Sequence, residues 1–520
     1  MTMRSKVFIF IITGFEMEDG NRSFTVDEAL VEMGFGKFQL YVLAYAGMGM
    51  VAEAMEMMLL SFVGPAVQSL WSLSSREESL ITSVVFAGML IGAYSWGIVA
   101  DKHGRRKGFI ITAVVTFIAG FLSAFAPNYT WLIVLRCFVG LGLGGGPVLV
   151  SWYLEFIPAP NRGTWMVIFS AFVILWNASN MMIIFGLQLI MPSLGWRWLL
   201  AFSSIPSSLL LLFYKWTPES PRYLILQGQK AEALSILEMI ARTNGTQLPK
   251  GVLATEMETE MEETKHLPTE NTHLLKPGEV EEAPPPPVSK IVLKSDNKGP
   301  LLVLLSPELI KRTLLLWVVF FGNAFAYYGV VLLTTELKNS QNSCYPSEKG
   351  LTHSSNDVNY RDVFIASFAE FPGLLISAAM VDRLGRKASM SSMLFTCCIF
   401  LLPLLTHQSP TVTTALLFGC RICISAAFTV VYIYAPEIYP TAVRTTGVGV
   451  GSSVGRIGGV LCPLVAVGLV HGCHQTIAVL LFEFVILVSG ICVCLFPFET
   501  SGRDLTDTIS TSEEPSSSSV

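Results

Sequence analysis

Long apolar stretches separated by short polar connections make up most of the chain. Each stretch is about twenty residues long, the length of a helix that crosses the hydrocarbon core of a bilayer. In lipid the backbone has to satisfy its own hydrogen bonds, and a helix does so. The pattern predicts six spans before a long polar stretch and six after it, at residues 39–66, 80–100, 108–125, 129–150, 164–189, 198–216, 313–337, 363–381, 388–406, 411–434, 446–469 and 476–496.

Composition agrees with this pattern and excludes several classes of function. Hydrophobic residues are 52% of the chain and charged residues only 14%, against about 25% charged in an ordinary soluble domain. The net charge of −5 includes no basic block able to neutralise a row of phosphates, so we expect no nucleic-acid partner. The sequence has no phosphate-binding loop, nucleophile elbow or metal-ligand spacing. We therefore expect neither an enzyme nor a bound metal or cofactor.

Two polar motifs occur twice, once in each half of the chain. The first joins spans two and three, and then spans eight and nine, as Gly97, Asp101, Gly104, Arg105 and Arg106 and as Asp382, Gly385 and Arg386. The second follows spans four and ten, as Glu155 and Arg162 and as Glu437 and Arg444. The aspartates lie 281 positions apart, and both pairs in the second motif lie 282 apart. This agreement indicates a duplicated six-helix unit.

The distribution of positive charge predicts the orientation in the membrane. Lys and Arg concentrate in the repeated loops, whereas three short connections on the opposite side carry neither. Positive loops mark the cytosolic side, so both termini should be cytosolic. The predicted organisation is a cytosolic segment at 1–37, a six-helix bundle at 38–216, a largely disordered cytosolic loop at 217–312, a second bundle at 313–496 and a disordered cytosolic tail at 497–520.

Together with residues 218–224 (Pro-Glu-Ser-Pro-Arg-Tyr-Leu), the repeated motifs resemble the major facilitator superfamily in its sugar-porter-like branch. Residues 24–29, 53–58 and 432–437 are similar to the synaptic-vesicle-glycoprotein-related transporters. The resemblance implies an all-α membrane protein with the major facilitator fold, twelve helices in two bundles. It also implies a monomeric secondary transporter that works by alternating access, in the plasma membrane rather than the vacuolar membrane.

The expected substrate is a small charged or zwitterionic organic metabolite, such as nicotinate, trigonelline, carnitine or another organic cation, moved together with protons. Two alternatives stay open at this point. One is a symporter of a hexose or another sugar with protons. The other is a transporter-like membrane scaffold that no longer transports, which the atypical fifth span favours because it lacks the acidic and small residues typical of the family.

Ionisable residues inside spans are the first candidates for a substrate or proton path, because each costs about 2.5–3.5 kcal/mol to insert. Glu53 and Glu56 lie midway along the first span, three residues apart and on one face of a helix. Two such carboxylates resist joint ionisation, so one of them can carry a proton or neutralise a cationic substrate. Permanent pairing of one of them with a neighbouring arginine is the structural alternative.

Other candidates lie in the fourth, seventh, eighth, tenth and eleventh spans. The resemblance links the arginine of span four to proton coupling. An arginine in the glycine-rich span eleven can receive a carboxylate, and aromatic rings in span seven can stack on a pyridine ring or hold a quaternary ammonium by cation–π attraction. Ordinary helix packing is the alternative for the rings. These candidates are Arg136, Asn323, Tyr327, Tyr328, Glu370, Arg421 and Arg456.

The repeated loops predict a cytosolic latch, the set of motif residues named above. Asp101 and Asp382 are expected to accept hydrogen bonds from helix N-termini and arginines of the opposite half. Glu155 with Arg162 and Glu437 with Arg444 have spacing suited to ion pairs at a helix end. The latch would hold the outward-facing state. A role only in topology explains the positive charges but not the repeated acidic residues.

The central loop contains a short sorting motif. Glu270, Leu274 and Leu275 match an acidic dileucine signal, which predicts binding of sorting adaptors.

Overall fold

The computed structural model describes residues 23–160, 162–172, 195–255, 300–344, 368–406, 408–471 and 475–506. The predicted fifth span beyond residue 172 and the sorting motif at 270–275 lie outside the described residues.

The first half consists of helices joined by short turns. Its elements are α1 (Val26–Met33), α2 (Lys37–Trp71), α3 (Ser75–His103), α4 (Arg105–Ser123), α5 (Tyr129–Leu143), α6 (Gly146–Leu154), α7 (described over 162–172), α8 (Gly195–Phe213), α9 (Pro221–Leu226) and α10 (Lys230–Asn244). A 3-10 turn, Tyr214–Trp216, follows α8. Helix α1 begins with the capping box predicted from the spacing of Thr25 and Glu28, in which each residue's side chain accepts the other's backbone N–H.

The second half repeats this arrangement. It contains α11 (Pro300–Leu304), α12 (Ile310–Cys344), α13 (Glu370–Val381), α14 (Arg386–Leu401), a 3-10 turn (Leu402–Leu405), α15 (Pro410–Ile438), α16 (Arg444–His471) and α17 (Gln475–Cys494). Across the described residues of both halves, eight helical stretches are long and apolar enough to cross a membrane: Leu80–His103, Arg105–Ser123, Tyr129–Leu154, Trp196–Trp216, Ile310–Val330, Arg386–Leu405, Thr411–Ile438 and Thr476–Cys494.

Part of the polar central stretch packs against the N-terminal segment and the start of α2 in the first half. Strand β1 (Ser23–Phe24) pairs in parallel with β2 (Val252–Leu253), which joins the N-terminal segment to the start of that stretch. The Asn244 side chain at the end of α10 accepts a hydrogen bond from the Phe38 backbone at 2.8 Å, so α10 also caps the start of α2. Residues up to 255 of the predicted loop therefore have a defined fold.

The C-terminal tail also differs from the predicted disorder. Residues 497–506 pack against the ends of the helices that carry the repeated loops, and Leu505 is only 1% exposed. This segment is held through both side chains and backbone groups, and a composition rich in Ser and Glu carries no signal of such contacts.

Glycines let the helices of the first half approach closely. A Cβ added to Gly140 on α5 would collide with the backbone carbonyl of Val85 on α3. Small residues at helix interfaces are the usual way for membrane helices to pack without a strong hydrophobic driving force between them. The predicted fourth span is divided at Gly144 and Gly145 into α5 and α6. Pro147 lies in the first turn of α6, where the backbone N–H that proline lacks would be unpaired anyway.

We predict that Gly140→Ala destabilises the protein by about 1–3 kcal/mol, because the added methyl meets backbone that cannot move aside. Gly64→Ala on α2 is the matched control, since its Cβ would meet the flexible Glu78 side chain at 3.2 Å. That change should be neutral or stabilising, because alanine favours helix by about 1 kcal/mol over glycine. Thermal unfolding in detergent measures both, and equal melting temperatures for the two variants would contradict this packing account.

Candidate functional site

An ion pair connects the two halves between α2 and α16. The Arg456 guanidinium on α16 lies 3.5 Å from the Glu53 carboxylate on α2. Arg456 also donates a hydrogen bond to the Tyr328 hydroxyl on α12 at 3.3 Å. The Glu53 and Arg456 side chains keep 22% and 15% of their surface exposed, whereas the Glu56 and Arg136 side chains keep only 1% each. The central pair is therefore long and only partly buried.

Aromatic rings and a small cavity surround the central pair. The Tyr328 ring meets Phe86 of α3 edge to face at 5.9 Å, so it contacts both halves. On the side of the first half, a cavity of about 40 Å³ is lined by Glu53 together with the hydroxyl residues Thr112, Thr116 and Ser207. Such a cavity has room for water but not for a metabolite.

The neighbouring carboxylate belongs to a different and closed arrangement. Glu56 forms a salt bridge with Arg136 of α5 at 2.8 Å and accepts a hydrogen bond from the Ser203 hydroxyl of α8 at 2.6 Å. Both charged side chains are only 1% exposed. For Glu56 the structure thus shows the structural alternative, pairing with an arginine of its own bundle, whereas Glu53 points to the opposite half.

A third ion pair lies within the second half. The Glu370 carboxylate at the start of α13 contacts the guanidinium of Arg421 on α15 and accepts a 2.5 Å hydrogen bond from the Tyr327 hydroxyl. The Arg421 guanidinium stacks over the Tyr327 ring at 3.7 Å and donates to the Tyr327 carbonyl at 2.6 Å. Tyr327 thus faces this internal pair, whereas the adjacent Tyr328 faces the central pair.

Asn323 lies one helical turn before Tyr327 and is fully buried. Its amide nitrogen donates to the Val319 carbonyl of the same helix at 2.9 Å. Among the described residues its amide oxygen has no hydrogen-bond partner.

At the helix ends that carry the repeated loops, the repeated aspartates hold the two halves together in a symmetric way. Asp101 accepts hydrogen bonds from the backbone and hydroxyl of Thr446 at the start of α16, both at 2.7 Å. Asp382 accepts the equivalent bonds from Thr164 at the start of α7, at 2.6 and 2.5 Å. Gly97 allows the close contact of α3 with α16, because a Cβ there would lie 2.9 Å from the Thr445 carbonyl.

The arginines that follow the aspartates bind the repeated glutamates. Arg105 lies 3.4 Å from Glu155 and 3.3 Å from Asp101. In the second half, Arg386 lies 3.2 Å from Glu437 and 3.1 Å from Asp382. The ion pairs of the first half are thus repeated in the second. The arginine and the glutamate of each trio are buried within the latch.

The predicted pairing of each glutamate with the arginine seven residues later is wrong. Glu155 instead receives Arg444 from the opposite half at 3.0 Å. Arg162 turns back to the Ile157 carbonyl and pairs with Asp27 of α1 at 3.4 Å. The reason is local, because α6 ends at Leu154 and the following turns place residues 155 and 162 on no common helix face.

Sequence reasoning missed two acidic residues that cap helices beside the latch. The Glu219 carboxylate accepts the Arg106 N–H at the start of α4 at 3.0 Å, and Glu499 accepts the Arg386 N–H at the start of α14 at 2.8 Å. Each cap lies against a glycine with positive φ, Gly104 at 105° and Gly385 at 86°. The similar ends of the two halves, Pro-Glu at 218–219 and Pro-Phe-Glu at 497–499, were the available signal.

We predict that Arg136→Met lowers the stability by about 3 kcal/mol, because it leaves the Glu56 carboxylate buried without its partner. The double variant Glu56→Gln with Arg136→Met removes both charges and should recover part of that loss. Arg242→Met is the matched control, since the Glu238–Arg242 pair is 3.9 Å long and exposed and should change stability by less than about 1 kcal/mol. Melting temperatures that fall additively in the double variant would contradict a mainly structural role for this pair.

Comparison with known proteins agrees with this geometry. The profile of the family described as Sugar (and other) transporter matches residues 35–277, and that of the Major Facilitator Superfamily matches residues 363–516. The chain is 82% identical to organic cation/carnitine transporter 7 of Arabidopsis thaliana, over 97% of this chain and 100% of that protein. It is 35% identical to the synaptic vesicle 2-related protein of Bos taurus, over 93% of this chain and 82% of that protein.

A solved structure shows the same fold. The proton:xylose symporter XylE bound to 6-bromo-6-deoxy-D-glucose superposes with a TM-score of 0.69, covering 90% of this chain and 97% of that one, at 17% sequence identity. The paired helical halves and the extent of these similarities lead to one assignment: the chain belongs to the major facilitator superfamily of membrane transporters.

Proposed function

We propose that this transporter moves a small charged or zwitterionic organic metabolite, in the class of carnitine, organic cations, nicotinate and trigonelline, by proton-coupled alternating access. The observation that carries the proposal is the central pair, in which opposite charges from opposite halves meet at 3.5 Å and stay partly exposed. The name of the Arabidopsis relative supports the same class of substrate.

The chemistry of the central pair suits a substrate that carries both signs of charge. An ammonium group would take the place of Arg456 beside Glu53, and a carboxylate would take the place of Glu53 beside Arg456. The Tyr328 ring and Phe86 offer aromatic faces that attract a quaternary ammonium or stack on a pyridinium ring. A zwitterion leaves both protein charges neutralised, whereas a simple ion leaves one of them unpaired in a region of low dielectric.

Proton coupling follows from the same pair. A proton on Glu53 cancels its charge and weakens its attraction to Arg456, so protonation frees the guanidinium to bind the carboxylate of a substrate. The hydroxyl-lined cavity beside Glu53 gives that carboxylate a polar neighbourhood through which water can deliver a proton.

The repeated latch supplies the conformational element. Asp101 and Asp382 each accept hydrogen bonds from the opposite half, so opening of the cytosolic side requires these bonds to break. The two halves would then rock about the central pair, which lies deeper in the membrane. The latch therefore favours the state that is closed to the cytosol.

We place the transporter in the plasma membrane, with both termini cytosolic and the dileucine motif Glu270, Leu274 and Leu275 available to sorting adaptors. The concentration of Lys and Arg in the repeated loops supports this orientation.

We predict that substitutions at the central pair separate substrates by charge. In yeast or oocytes, Glu53→Gln should reduce uptake of carnitine and of a simple organic cation about tenfold or more and should spare nicotinate. Arg456→Gln should reduce uptake of carnitine and nicotinate and should spare the cation. These effects correspond to the loss of one charge-assisted contact, worth about 1.5–3 kcal/mol. Labelled substrate uptake, with surface expression measured in parallel, checks the result.

Glu483→Gln is the control, since Glu483 lies in α17, beside Cys398 rather than the central pair. Absence of uptake for all these substrates in correctly expressed protein would contradict the transport proposal and favour a membrane scaffold. Uptake of a hexose alone would favour a sugar symporter instead.

Proton coupling gives a separate prediction. Uptake by the unchanged protein should rise about threefold or more when the external pH falls from 7.5 to 5.5, since a proton then accompanies the substrate at Glu53. Glu53→Gln should abolish this dependence, and Glu483→Gln should keep it. The measurement is the initial rate of uptake at the two pH values. Transport that is independent of pH and survives Glu53→Gln would remove the central carboxylate from the coupling mechanism.

A further inference from the structure

The duplicated latch is broken at one place, and the C-terminal tail occupies it. By the repeat, Arg162 should reach across to Glu437 as Arg444 reaches across to Glu155. Glu437 is taken instead by Arg386 and by the Thr500 hydroxyl at 2.5 Å. Arg162 therefore directs its side chain elsewhere.

Three buried arginines bind the backbone of the tail segment, defined here as residues 503–506. Arg162 donates to the Arg503 carbonyl at 3.1 Å, Arg222 to the Leu505 carbonyl at 3.0 Å, and Arg444 to the Thr506 carbonyl at 3.3 Å. The three guanidinium side chains are at most 1% exposed. Hydrogen bonds from charged donors are roughly twice as strong as neutral ones, so the segment is held firmly although its own side chains are mostly polar.

The N-terminal helix completes this binding site. Asp27 of α1 accepts the Leu505 N–H at 3.3 Å and pairs with Arg222 and Arg162. Burial alone would raise the pKa of this carboxyl, but the two guanidiniums hold the pKa below its ordinary value. Asp27 is therefore ionised at neutral pH, where its ion pairs contribute their full stability. This contribution is lost only in acid, as the pH falls below the unfolded-state pKa of about 3.9 and through the lower pKa of the folded state.

The tail segment contacts both halves of the transporter at once. Arg162 and Arg222 belong to the first half, whereas Arg444 and Thr441 belong to the second, and the Thr441 backbone donates to the Thr506 carbonyl at 3.0 Å. The buried Leu505 side chain anchors the segment. The halves cannot separate on the cytosolic side while all of these bonds persist.

We propose that the buried site formed by Asp27, Arg162, Arg222 and Arg444 is a receptor for the chain's own residues 503–506, and that release of this segment is required before the cytosolic side opens. The tail segment thus connects Arg162 to the second half, as Glu155 connects Arg444 to the first half. This role requires no particular substrate, so it stands apart from the function proposed above.

Reactivity of a cysteine at the interface of the halves tests this directly. Ser453 on α16 is 8% exposed and donates to the Leu90 carbonyl of α3 at 2.9 Å, so Ser453→Cys reports separation of the two helices. The rate of its alkylation by N-ethylmaleimide is measured by peptide mass spectrometry on the purified protein in lipid nanodiscs. Resolution by peptide keeps the native cysteines from interfering.

A chain that ends after Gly502 should react about fivefold faster or more at this position than the full chain, because the closed population falls. A chain that ends after Thr506 keeps the segment and should react like the full chain. A synthetic peptide of residues 500–520 should restore protection to the chain that ends after Gly502.

The point variant Leu505→Ala should also raise the rate, in the full-length protein and without truncation. Leu495→Ala is its matched control, because Leu495 is 54% exposed. Unchanged rates in both the Gly502 truncation and Leu505→Ala would overturn the proposal. So would an increase in the truncated chain that the peptide fails to reverse, since that result would indicate misfolding rather than loss of a bound segment.

Discussion

The constraint behind this structure is that a charge removed from water needs a partner of opposite sign. Glu56 has Arg136, Glu370 has Arg421, and Glu53 has Arg456. The first two pairs each lie within one half and stabilise the bundle that contains them, and the first of them is sealed from water. The third pair joins the halves, is longer and is partly exposed. All three pairs meet the same physical requirement. What distinguishes the candidate substrate site from the two structural pairs is that its two residues come from opposite halves.

The same requirement organises the repeated loops. Buried Arg105, Arg386 and Arg444 are each neutralised by a glutamate of the repeated motifs, and the aspartates bind helix starts of the opposite half. Such contacts are strong while water is excluded and weaken when the halves part and water enters. Partial separation of the halves would leave buried charges unpaired, so the closed arrangement of these loops is held as a unit.

Much of the architecture could be predicted from the sequence, because it depends on local periodicity and on duplication. Apolar stretches of membrane length, the capping box at Thr25 and the aspartates that bind the opposite half all rest on patterns within short windows or on a repeat of 281 or 282 positions. The partners of individual charges could not be predicted in this way. Glu155 and Arg162 are seven residues apart, yet the chain turns between them and each finds a partner far away in sequence.

Other features escaped prediction because backbone atoms carry them. Buried arginines bind the tail segment through its backbone carbonyl groups, and no pattern of side chains in the sequence indicates such contacts. Asp27 looked like part of a short leading helix, and only the fold brings it to Arg162, Arg222 and Leu505. The identity of the residue that faces the opposite half, Glu53 rather than Glu56, likewise depends on a difference of about 60° around α2, which spacing alone cannot assign.

The central claim is that the Glu53–Arg456 pair opens to receive a substrate of mixed charge. A cryo-electron microscopy structure of the protein in nanodiscs with saturating carnitine tests it most directly. The account predicts that the two side chains move apart, with the substrate carboxylate at Arg456 and its ammonium group between Glu53 and the Tyr328 ring. A substrate bound elsewhere while the Glu53–Arg456 pair stays closed would contradict it.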